Sequence, residues 1–100
     1  MIERVARVGE IPPGTTRCAT VGTESILLCN VDGEFYAIEN ICTHDGAPLD
    51  QGVLDECRIT CPRHGAVFDV TTGNVLALPA VIPLRTFPVH IVGDELTVKV

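Results

Sequence analysis

The sequence predicts an all-β domain of antiparallel sheets, a single domain over residues 1–100. Residues from about 40 to 69 form a small insert in a basal part made of about 1–39 and 70–100. Three observations carry this expectation. Asp32-Gly33 stands between two strand-like runs, Ile26 to Val31 and Glu34 to Ile38, which is the setting of a tight hairpin turn. Phe87, Val89 and Ile91 alternate with Pro88, His90 and Val92, and beyond Gly93-Asp94 the alternation resumes in Leu96, Val98 and Val100, so a second hairpin with one buried face is expected. No long amphipathic helical period runs anywhere in the chain.

Taken in order, Ile2 to Val8 is rich in β-compatible residues and is closed by Gly9 and Pro12-Pro13-Gly14. Arg17 to Val21 and Ile26 to Val31 follow as strands separated by Gly22-Thr23, and the first hairpin then delivers the chain to Cys42. Pro48 to Asp55 has room for one or two helical turns, and Ile59, Val67 and Val70 mark shorter strands. Pro88 has no N–H to donate, so it belongs at a bulge or with its nitrogen turned away from a ladder partner.

One hundred residues with 46% hydrophobic content support one core. No apolar run reaches the roughly 20 residues of a membrane span, and Glu3, Arg4 and Arg7 do not make the start of a signal peptide, so a soluble, cytoplasmic protein is expected. A net charge of -6 argues against nucleic acid or an anionic membrane as partner. Five cysteines exclude a fully paired disulfide framework and favour metal or redox chemistry for those with histidine neighbours.

Those are Cys42-Thr43-His44 and Cys61-Pro62-Arg63-His64. Each stretch offers one thiolate and one imidazole in the same order, as a single metal centre gripped from two sides requires. Soft thiolates suit iron, and replacing two of four thiolates by neutral imidazoles leaves an oxidised 2Fe-2S site near neutral instead of dianionic. An electron enters a neutral site more readily, so mixed ligation raises the reduction potential. Two Cys and two His can also hold zinc, but Cys-x-His makes an unusually tight chelate for a zinc module. Gly46 and Gly65 fit loops whose amides fold back onto such a centre, since glycine permits positive φ and close backbone approach. Cys29 lies in an apolar run and reads as a core residue. Cys18 and Cys57 read as free thiols, and His90 falls on the polar register of its strand.

With Gly46, Leu49, Pro62, Gly65 and Phe68 around these pairs, and Asp69, Thr72-Gly73, Pro79-Ala80 and Pro83-Leu84 downstream, the chain resembles the Rieske family over most of its length. The resemblance implies a Rieske-like fold with a cluster-binding insert and one 2Fe-2S cluster. Cys42 and Cys61 would hold the inner iron, and His44 and His64 the outer one, beneath a covering proline-bearing loop. It also implies departures from the respiratory branch of the family. Ala47 and Arg63 stand where that branch has a disulfide, and Ala66 and Phe68 where it has hydroxyls bonded to sulfur, so the potential belongs toward the low end of the family range.

Only His90 remains for any second metal, so the catalytic oxygenases of the family are excluded. The chain is similar to the small ferredoxin components of bacterial aromatic-ring dioxygenase systems. These are not enzymes but one-electron carriers, and the implied partners are an NAD(P)H-dependent flavin reductase (the ferredoxin reductase) and a terminal Rieske oxygenase. The alternative is the small Rieske subunit of a nitrite-reductase-like enzyme. Glu39, Asp45, Asp50, Asp55 and Glu56 flank the ligand stretches in sequence and suggest an acidic docking surface beside the exposed ligands.

Overall fold

The computed structural model describes residues 1–100. Its eleven strands form three antiparallel sheets, and beyond them the chain has one short 3-10 turn at Val8–Glu10, so the all-β expectation holds. The first sheet has the order β1 (Ile2–Arg7), β11 (Glu95–Lys99), β10 (Val89–Val92). In the second, β2 (Thr16–Val21), β3 (Glu24–Val31), β4 (Glu34–Glu39) and β9 (Thr86–Phe87) lie side by side in that order. The third is a meander of β5 (Val53–Asp55), β6 (Arg58–Thr60), β7 (Val67–Asp69) and β8 (Val75–Ala77).

Both hairpins form where the turn residues direct them. Asp32 and Gly33 adopt φ of 52° and 92°, and Val31 faces Glu34 across the turn. Val92 faces Glu95 across Gly93-Asp94. Pro88 falls between β9 and β10, where the chain leaves the second sheet for the first. Its missing N–H interrupts no ladder there, and its carbonyl accepts the Lys99 N–H at 3.1 Å.

The helical turns expected between Pro48 and Asp55 are absent. Asn40 Oδ1 accepts the Leu49 N–H at 2.8 Å, Gly52 N–H closes a turn onto the Leu49 carbonyl, and Val53 to Asp55 pair with β6 as a strand. Pairing with β6 thus claims the residues that would have closed a helix. Gly73, at φ +82°, lets the chain near Leu84 dock closely. Leu84 N–H donates to the Gly73 carbonyl at 2.8 Å, and a Cβ at position 73 would strike the Leu84 carbonyl oxygen.

Two apolar cores flank β3. Ile26 and Leu28 join Ala6, Ile11, Val21, Ala37, Leu96 and Val98 on one side. Leu27 and Cys29 face the other, with Ile38, Leu49, Ile59, Ala66, Phe68, Val70, Ala80, Leu84 and the two cysteines Cys42 and Cys61. Because β3 is covered on both faces, it reads as a continuous apolar run. The single buried polar side chain, Asn30, donates to the Ile11 carbonyl and accepts from the Gly33 N–H, both at 2.7 Å.

Cys29 is the core residue its context suggested, and burial pushes its thiol from the ordinary 9.0 up to about 12. The unfolded chain ionises this thiol near pH 9 while the folded chain keeps it neutral. Its contribution is therefore complete below pH 9 and is lost at about 1.4 kcal/mol per unit as pH rises toward 12. Urea unfolding at pH 8 and pH 10 is expected to show this loss in the native protein and not in Cys29→Ala. Equal pH slopes in the two proteins would contradict it.

Candidate metal centre

Two loops at one end of the third sheet carry the sequence-predicted ligands. The first follows β4, and the second is the connection between β6 and β7. They have the same internal geometry. Cys42 N–H donates to the Ala47 carbonyl (2.6 Å) and Gly46 N–H to the Cys42 carbonyl (2.7 Å). Cys61 N–H donates to the Ala66 carbonyl (2.7 Å) and Gly65 N–H to the Cys61 carbonyl (3.1 Å). Gly46 and Gly65 share φ of +78°, so the left-handed turn expected of them is present in both loops. A repeated turn places a repeated pair of side chains.

The thiols are inside and the imidazoles outside. Cys42 and Cys61 are each 1% exposed and belong to the larger core, whereas the His64 side chain is 51% exposed and His44 is exposed as well. The two rings stand edge to face with centroids 5.2 Å apart. Burial holds the Cys42 thiol above its ordinary value, so a cation must replace the proton before this sulfur acts as thiolate. Two buried thiols facing each other, with two adjoining surface imidazoles, suit a centre that has one sulfur-ligated and one nitrogen-ligated iron.

Asp45, one of the acids that flank the ligand stretches in sequence, lies between the loops. Its Oδ1 accepts the Ala47 N–H at 3.0 Å. Its Oδ2 is 3.1 Å from His64 Nδ1 and 3.4 Å from Arg63 Nε. The Ala47 N–H holds its carboxyl below the usual carboxylate range, and Arg63, His64 and His44 add to the effect. Thr43 was missed, because its partner lies 39 residues away: its hydroxyl donates to the Ile82 carbonyl at 2.6 Å. That bond holds the proline-bearing loop against the first ligand loop, and Ala80 of the same loop is buried in the core with both cysteines.

Two of the other acids lie away from the ligand loops. Asp55 and Glu56 sit at the β5–β6 turn, at the opposite end of the third sheet from the ligand loops, near Arg58. Glu39 bonds Arg85, and Asp50 contacts Asn40 and Gln51. Of the acids expected beside the ligands, Asp55 and Glu56 are thus carried away from them, while Asp45 stands between the two loops. Leu78 (74% exposed), Val81 (73%) and Ile82 (59%) give the adjoining loop an apolar surface. Cys18 and His90 are exposed, and Cys57 is half-buried against the larger core.

A family model for the Rieske 2Fe-2S domain matches residues 2–88. The chain is 40% identical to the ferredoxin component of biphenyl 2,3-dioxygenase from Rhodococcus jostii (strain RHA1), over 97% of this chain and 91% of that one. It is 41% identical to the 3-phenylpropionate/cinnamic acid dioxygenase ferredoxin subunit of Escherichia coli (strain K12), over 89% and 84% of the two chains. Among solved structures, the ferredoxin of carbazole 1,9a-dioxygenase from Nocardioides aromaticivorans IC177 superposes with a TM-score of 0.94 at 36% identity, covering 98% of this chain and 96% of that one. A complex of reduced oxygenase and oxidised ferredoxin in carbazole 1,9a-dioxygenase contains a chain matching with a TM-score of 0.92 at 37% identity, over 97% and 91%. A family match across nearly the whole chain, on loops whose donors fit the group, leaves no place for a zinc module: the chain belongs to the Rieske 2Fe-2S domain family.

Proposed function

We propose that Cys42, His44, Cys61 and His64 hold the 2Fe-2S cluster that this family carries. On this reading the chain is a cytoplasmic one-electron carrier, taking electrons from an NAD(P)H-dependent flavin reductase and passing them to the terminal oxygenase of an aromatic-ring dioxygenase system. The carrying observation is the division of the donors, with both thiols sealed in the core and both imidazoles at the surface. The relatives named as ferredoxin components, and the solved ferredoxin–oxygenase complex, support a terminal oxygenase as partner. No helix is long and apolar enough to cross a membrane.

A Rieske cluster takes up and releases a single electron. Around it the protein keeps water from the thiolates by burying them. It leaves the imidazoles as the contact point for a partner and surrounds the inner side with Phe68, Leu49 and Ala66, which are 0% exposed. Neither Ala66 nor Phe68 carries a hydroxyl to withdraw electron density from sulfur. Direct voltammetry is therefore expected to give a potential toward the lower end of the range of about -150 to +300 mV. Reduction of the brown protein by NAD(P)H and a flavin reductase, followed by reoxidation by a ring-hydroxylating oxygenase, tests the carrier role. A strongly positive potential, or no electron delivery to any such oxygenase, would reject it.

A further inference from the structure

We propose that Asp45 and Arg63 form an ionic tie between the two ligand loops that sets the potential of the centre, Asp45 lowering it and Arg63 offsetting part of that effect. The proposal rests on the ligand assignment above.

The five cysteines are all free, so no disulfide joins the loops. The ion pair between the two loops that involves no assigned ligand is made by one carboxylate: Asp45 Oδ2 reaches Arg63 Nε at 3.4 Å. The other oxygen of that carboxylate is fixed by the Ala47 N–H, so the charge is held in place instead of sweeping through solvent. Its location is unusual among the acids of the chain. A carboxylate oxygen of Asp45 lies within 4.8 Å of the Cys42 and Cys61 sulfurs, and one lies within the same distance of ring nitrogens of His44 and His64. The Asp45 side chain is 17% exposed, whereas Arg63 is 65% exposed and approaches from the solvent side.

The consequences follow from charge and screening. A fixed, partly desolvated anion beside the centre opposes the gain of an electron, so it lowers the potential. The guanidinium has the opposite sign but is better screened by water, so its effect is smaller. As a stabilising contact the pair counts for little, because one partner is largely exposed. Its main effect is on the electron and not on the fold.

The test uses cluster-loaded protein as purified, with direct voltammetry and EPR of the dithionite-reduced state. Asp45→Asn retains an oxygen for the Ala47 N–H and is expected to shift the potential upward. Arg63→Gln is expected to shift it downward by less, and Arg63→Lys to restore the native value. The Arg63→Gln shift should shrink in the Asp45→Asn background. Unchanged potentials, or shifts of the same sign in both single variants, overturn the tie, the latter because general loosening of the loops would act in one direction. If Asp45→Asn loses its cluster, the exposed Arg63→Gln and Arg63→Lys pair decides alone. A native protein with no Rieske EPR signal would instead defeat the ligand assignment, which separates that failure from this one.

Discussion

Replacing Phe68 by alanine is expected to cost about 3–5 kcal/mol, a large part of the roughly 5–15 kcal/mol that holds a domain of this size together. Phe68 heads the fully buried side chains by volume and lies on β7, opposite Ile59 of β6 and Val75 of β8. It belongs to the same core as Cys42 and Cys61. Truncation would remove apolar contact and leave a void that two short strands on either side are poorly able to close. In a domain of about 100 residues each kcal/mol lowers Tm by roughly 4–8 °C, so a fall of at least about 12 °C is expected by circular dichroism. A loss under about 1 kcal/mol would mean that the third sheet is not packed through this residue.

The other large effect is on the centre itself. Cys42→Ser and Cys61→Ser are each expected to purify without visible colour and with little bound iron, because a serine hydroxyl is a poor substitute for a thiolate on iron. Cys18→Ser and Cys57→Ser should keep the native spectrum, since Cys18 is exposed, Cys57 is only half-buried, and neither joins the paired loops. Absorption spectra and iron content of the four proteins check this together. A Cys61→Ser protein that remained fully coloured would remove Cys61 from the ligand set.

Much of this molecule was legible because strong local signals coincide with the tertiary solution. Asp-Gly at 32–33 and Gly-Asp at 93–94 each turn a hairpin, and the two Cys/His pairs meet in two matched loops. What escaped was decided at long range. β5 and β8 have three residues each and lack period or turn signature of their own; they become strands because β6 and β7 offer them edges. Pro48 to Asp55 looked able to coil because nothing local forbade it, and the Asn40 side chain and the β6 edge then drew it straight. Sequence proximity also misled for Asp55 and Glu56. They are near Cys61 along the chain, but the intervening strand carries them to the opposite end of the sheet.

The placement of β3 bears on how such a protein delivers charge. Leu27 and Cys29 reach into the core that holds Cys42 and Cys61, while Ile26 and Leu28 reach into the core beneath the first sheet. Neither half can tilt against the other without tearing apolar contacts from this shared wall. On the proposed reading as a carrier, the chain would meet its partners as one stiff body, and the loops bearing Cys42, His44, Cys61 and His64 would have little freedom to rearrange when the charge of the centre changes. That stiffness favours fast hopping across a brief encounter.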